Sequence, residues 1–207
     1  PPKGRIIEGI KEISRIIGKD NVIVRYDPIF INDIYTLDYH KRAFDRMCGL
    51  LEGYVSKIIV SFIDDYKNVR KNINYLRYVP FTEEIYKEIG LSFSASALKY
   101  GMSVQTCFES RRLTEYGFVK GECLSRELAY HMTGKKFRIQ TARKGKRCEC
   151  VQMADIGSYN ICGHMCRYCY ANYDENKINE NMKNHYDDSS LLIGRAKETD
   201  VIKVRKK

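Results

Sequence analysis

Residues 57–64 read KIIVSFID. The run is almost continuously apolar, which is what a parallel strand covered on both faces requires; a half-exposed strand would alternate. The surrounding sequence fits this reading. Upstream, Thr36 is placed to cap a helix over LDYHKRAFDRMCGLLEGYV, with Leu37, Phe44, Leu51 and Val55 as its core stripe. Before that, NVIVRYDPIF (residues 21–30) is rich in β-formers, and Pro28 is expected to stop its ladder. Residues 5–17 place Ile6, Ile10, Ile13 and Ile17 on one helical face, and Gly18 ends the helix.

Downstream, a charged segment (residues 65–80) precedes Thr82, Glu83 and Glu84, which open a helix running to Gly101. MSVQTCFE (residues 102–109) is the third strand. RELAYHMT fits a helix between Ser125 and Gly134. Helices and strands thus alternate, and alternation predicts parallel βα units with right-handed crossovers. The expected fold is α/β: a partial (β/α) barrel over residues 1–134, followed at 135–207 by a basic linker, a cysteine-rich segment and a tail. An open α/β sheet suits the same pattern.

Each expected strand ends in residues able to do chemistry: Arg25, Tyr26 and Asp27; Asp64 and Asp65; Cys107 and Glu109. Parallel α/β folds place their sites at these ends. Arg25, Asp27, Asp64 and Glu109 are therefore the candidate catalytic residues, although any one alone also reads as a turn or cap residue.

The chain has 207 residues, a 43% apolar fraction and a net charge of +10. The apolar content is enough for a packed core and too high for a disordered chain. No run of about 18 apolar residues offers a membrane span, and no leader pattern opens the chain. The positive charge concentrates in KKFRIQTARKGKR (Lys135 to Arg147) and in the tail KVRKK. These stretches read either as a solvated linker and frayed end or as a phosphate-contacting patch. Five of the eight cysteines lie between Cys148 and Cys169. Clustered cysteines point to metal or redox chemistry in a reducing cytoplasm rather than to a disulfide scaffold.

Three of these cysteines stand in DIGSYNICGHMCRYCYANYD: Cys162, Cys166 and Cys169, spaced C-x3-C-x2-C. Tetrahedral zinc wants four ligands, usually in C-x2-C pairs. A thioredoxin-like pair would carry no third cysteine. Three thiolates can instead hold three irons of a 4Fe-4S cluster and leave the fourth open.

The stretch resembles the signature of the radical S-adenosylmethionine enzymes, down to an aromatic residue, Tyr168, before the third cysteine. The resemblance implies that Cys162, Cys166 and Cys169 ligate the cluster and that S-adenosyl-L-methionine binds the open iron. Tyr168 would lie beside the adenine, and reductive cleavage would give a 5′-deoxyadenosyl radical. An electron donor of flavodoxin or ferredoxin type is implied as well. Most members carry the motif early; here it lies near the C-terminus. The whole chain is similar to a bacterial family of unknown function with a barrel-like region and a C-terminal cysteine cluster of this type. That similarity runs through VRYDPI, SFID, TCFE, DIGSYNICGHMCRYCYAN and SSLLIG. Relatives extend further at the N-terminus. The expectation is therefore a chain that starts within the barrel and pairs with a second copy or a missing barrel half.

Cys107, Cys123, Cys148 and Cys150 remain. They suffice for a second iron–sulfur cluster or a zinc site. Alternatively Cys148 or Cys150 completes the first cluster, or all four are free thiols. Cys48 reads as core. His164 reads as supporting the cysteine loop, and His40, His131 and His185 as structural. Asp155 is placed to fix a turn before Gly157. SSLLIG either docks back on the barrel or forms a surface strand.

Two functions compete. One is an anaerobic radical enzyme acting on a small molecule or a nucleic acid. The other is a non-catalytic iron–sulfur or zinc protein that binds nucleic acid through the basic segment.

Overall fold

In the computed structural model, which describes residues 2–107, 109, 111, 113–139, 150–201 and 203, the apolar run forms β2 (Lys57–Phe62). It is the middle strand of an open, three-stranded parallel sheet in which β1 (Ile23–Ile29) and β3 (Ser103–Thr106) are the edges. Arg25 pairs with Ile59, and Ile59 with Gln105. The α/β class and the parallel pairing agree with the sequence. Pro28 does not end β1. The strand runs on to Ile29, and the proline is accommodated by a register shift between Tyr26 and Ile29. An edge strand permits this, because the missing N–H interrupts only one side of the ladder.

The chain forms two compact units: Pro1–Ile63 with Arg77–Met153, and Asp64–Leu76 with Ala154–Lys207. The first holds the sheet. One face of the sheet is covered by α2 (Leu37–Leu51) and α5 (Glu83–Lys99). Both helices start where sequence places them: Thr36 accepts from the Tyr39 N–H and Thr82 from the Ile85 N–H. Val24, Ile58, Val60, Phe62 and Val104 turn toward these helices and join Phe44, Leu51, Ile89 and Phe93 in the core. Phe44 and Phe93 stack at 3.8 Å, and Tyr26 meets them edge-on at 5.6 and 5.7 Å. Truncating a buried phenylalanine of this kind to alanine costs about 3–5 kcal/mol. Gly90 of α5 admits Tyr116: an added Cβ would lie 2.6 Å from the tyrosine Cβ.

The first helix, α1 (Lys3–Ile17), uses a different face from the one its isoleucines suggest. Ile6, Ile13 and Ile17 are exposed, whereas Ile7 and Ile10 pack on the core and Ser14 is buried. α2 stops at Leu51, and Val55 reaches the core from the loop beyond it. α6 (Arg126–Thr133) lies between the Ser125 cap and Gly134, as its sequence predicts.

The charged segment after β2 opens the second unit with two short helices, α3 (Lys67–Lys71) and α4 (Ile73–Leu76). The second unit also holds α7 (Glu175–Lys183), capped by Asp174. Among the described residues no helix is long and apolar enough to cross a membrane.

Candidate functional site

Side chains alternate along a strand, so the residues that do not face α2 and α5 share the opposite face of the sheet. Toward the C-terminal ends of the three strands they are Arg25 and Asp27, Ile59 and Ser61, then Gln105 and, just past β3, Cys107. Polar residues dominate this face. The Arg25 guanidinium donates through Nε and Nη2 to Asp27 Oδ2, at 2.9 and 2.6 Å. Ser61 Oγ donates to the other oxygen of the same carboxylate. Arg25 Nη1 lies 3.8 Å from Cys123 Sγ, and Cys123 Sγ lies 2.7 Å from Cys107 Sγ. Two strand ends predicted to share a site, those of β1 and β3, thus meet around a thiol pair.

The electrostatics of the pair are asymmetric. The hydrogen bond from Cys123 pulls the Cys107 thiol down to about 6; burial opposes this, and the Arg25 hydrogen bond and charge assist it. Cys123 moves well up, because its proton is held by Cys107, because it is buried, and because Cys107 and Cys150 add negative charge. Cys150 itself is buried. Among the described residues neither amide atom of the buried Gln105 has a hydrogen-bond partner, a costly arrangement on the same face.

The remaining candidates lie elsewhere. Glu109 accepts from the Phe62 N–H at 3.0 Å, which ties the segment after β3 to the end of β2. Asp64 belongs to the second unit. Cys148 and most of the basic stretch, residues 140–147, lie outside the described residues, as do residues 202 and 204–207 of the tail. Cys48 is core as expected, its thiol pushed up to about 12 mainly by burial. His40 is structural: its ring nitrogens meet the Tyr26 hydroxyl and the Phe30 carbonyl, both at 2.8 Å.

The second unit carries the C-x3-C-x2-C loop. Its neck is closed by Asn160, whose N–H donates to the Ala171 carbonyl and whose side-chain oxygen accepts from the Tyr173 and Asp174 N–H groups. Inside the loop the backbone carbonyls are pinned by buried asparagine amides. Asn172 Nδ2 donates to Cys162 O at 2.6 Å, Asn68 Nδ2 to Cys169 O at 2.8 Å, and Asn72 Nδ2 to Arg167 O at 3.1 Å. Asn181 completes the set by donating to Asn160 O. Sequence reasoning passed over all five asparagines. The available signal was that Asn68 and Asn72 are one helical turn apart and that Asn172 follows the third cysteine closely.

The polar demand of the loop is thus met by amides, and its three thiols are left free. Cys162 is exposed, and Cys166 and Cys169 are partly so. A cleft of about 270 Å³ opens beside Cys166, with Lys71, Asn72, Arg167 and Asn172 on its walls. Tyr168 and His164 are at the surface of the unit. Asp155 accepts from the Gly157 N–H at 2.8 Å, the turn expected of it. SSLLIG is neither strand nor extended: Ser189 Oγ donates to the Gly194 carbonyl, and the Gly194 N–H donates to Asn184 O, so the segment folds on itself.

Among the described residues no three His, Cys, Asp or Glu side chains gather as a single metal ion would require. A four-iron cluster makes a different demand, one thiolate on each of three irons. Three free cysteines on one braced loop fit that donor set.

No curated protein and no solved structure matches the chain. Residues 1–171, which span the sheet, the thiol pair and the cysteine loop, match a family described as a domain of unknown function, DUF1848, and the chain belongs to that family.

Proposed function

We propose that the chain is an iron–sulfur enzyme of radical S-adenosylmethionine type, with Cys162, Cys166 and Cys169 as the ligands of a 4Fe-4S cluster. The observation that carries this reading is the asparagine cage, which fixes the backbone of the cysteine loop while leaving every thiol free. A bound cluster would supply reductive cleavage of S-adenosylmethionine to a 5′-deoxyadenosyl radical, with electrons from a flavodoxin- or ferredoxin-type donor. The chain's own residues hold the loop in shape and line its cleft. Lys71 and Arg167 supply positive charge there, and Asn72 and Asn172 are spent on backbone carbonyls.

The sheet supports a companion proposal. Three parallel strands in sequential order, with both edges open among the described residues, are what an arc of a (β/α) barrel would present, which supports the barrel reading. Its edges pair with a second copy or with further strands, because exposed edge N–H and C=O groups seek partners. The reducing cytoplasm suits a chain with so many free thiols.

The test is anaerobic reconstitution with iron and sulfide, then dithionite and S-adenosylmethionine, with 5′-deoxyadenosine as the readout. The nucleoside is expected. Its absence, with the cluster shown intact by its visible absorbance, overturns the radical reading.

A further inference from the structure

We propose that Cys107 and Cys123 form a redox-active dithiol that exchanges with small-molecule disulfides and closes to a Cys107–Cys123 disulfide. This site lies in the first unit and is independent of the cluster reading.

The geometry carries it. The two sulfurs are 2.7 Å apart although the residues stand sixteen positions apart in the chain. A disulfide bond needs about 2.05 Å. Two thiolates on one tetrahedral zinc, each at about 2.3 Å, would stand about 3.8 Å apart. The pair is therefore closer than a shared metal allows and a short movement from a covalent bond. Both cysteines are anchored. The Cys107 N–H donates to Val60 O at the end of the sheet. Cys123 is followed by Leu124, whose carbonyl accepts from Val151, and by the Ser125 cap of α6.

The surroundings suit thiol chemistry better than metal binding. The Arg25 guanidinium lies against Cys123 and is aimed by Asp27, which Ser61 holds in turn. A fixed cation favours a thiolate and repels a metal ion. Among the described residues no third donor joins the pair in a metal-sized group.

The exchange balances without any other reactant. Cys107 accepts the hydrogen bond from Cys123, so it attacks as the thiolate. Its sulfur displaces one half of a disulfide R–S–S–R, and the departing thiolate takes up a proton. Cys123 then gives up its proton and attacks Cys107 sulfur, and the second R–SH leaves. Two electrons and the Cys123 proton pass from the protein to R–S–S–R, and solvent supplies the second proton, giving two R–SH.

The test treats the full chain, purified anaerobically, with oxidised glutathione. Free thiols are then alkylated and the peptides mapped without reduction. The expected result is a Cys107–Cys123 linked peptide, lighter by two hydrogens and reopened by dithiothreitol. In Cys123→Ser, glutathione should remain on Cys107 as a mixed disulfide, and Arg25→Gln should slow formation of the link several-fold in a chain whose circular dichroism is unchanged. Two outcomes overturn the proposal. One is that both thiols alkylate fully in the wild-type chain. The other is that the link forms only after zinc or iron bound at the pair has been removed by a chelator.

Discussion

The side-chain amide of Asn172 donates to the backbone carbonyl of Cys162 across 2.6 Å, ten residues back along the same loop. The amide is buried, so the bond is not exchanged for water. Asn172→Ala leaves that carbonyl without its donor and should cost about 1–3 kcal/mol. Thermal melting should register the loss, and iron retained after desalting should fall below wild type. Unchanged melting and iron content would mean that the amide is not what shapes the loop.

Gln105 makes the opposite prediction. Its amide is buried with no partner among the described residues, on a face otherwise held by hydrogen bonds. Gln105→Met keeps the length and removes the unmet demand. It should stabilise the chain by about 1–3 kcal/mol, the usual desolvation penalty of such a group. A lowered melting temperature would show that the amide has a partner in solution.

Cys107 should react as a thiolate at lower pH than an ordinary cysteine does. Its pKa of about 6 means that it is mostly thiolate at neutral pH, whereas an ordinary cysteine is mostly thiol. Its alkylation rate by iodoacetamide, followed by peptide mapping, should therefore level off above about pH 7. Cys123→Ala removes the largest cause and should move the midpoint upward; Arg25→Gln should move it less. A midpoint near 8.5 in the wild-type chain would contradict the placement of the pair.

His40 sets a pH limit on stability. Burial lowers its pKa below the unfolded value of about 6.5, and the Phe30 carbonyl only partly offsets this. Between the folded and unfolded pKa values the unfolded chain binds the extra proton and the folded chain does not. This contribution is therefore complete above about pH 6.5 and is lost as pH falls through the folded value. Melting temperatures taken across pH 5–8 should fall on the acid side, and less steeply in His40→Gln. Equal slopes would show that His40 is not the group responsible.

The alternation of helix and strand was legible because each element carries its own signals: the Thr36, Thr82 and Ser125 caps, the Gly134 stop and the apolar run of β2. Three features were not. α1 shows two overlapping isoleucine faces, and only tertiary packing chose the one with Ile7 and Ile10. The segment after β2 looks like a charged linker because its helices are a turn or so long and their job is polar. The asparagines of the cysteine loop show no period, since each meets a backbone carbonyl distant in sequence. Of the candidate site, Arg25, Asp27 and Cys107 were found by their places at strand ends, and Cys123 by residue type alone. That it lies against Cys107 depends on how the loop before α6 returns to the sheet, which no local signal encodes.

Whether Cys162, Cys166 and Cys169 hold a cluster is decided by iron, zinc and acid-labile sulfide per chain after anaerobic purification and reconstitution, for the wild type and for the triple Cys→Ser variant at these positions. About four irons and four sulfides are expected per wild-type chain, and close to none in the variant. Zinc without iron, or iron and sulfide retained undiminished by the variant, would contradict the cluster assignment.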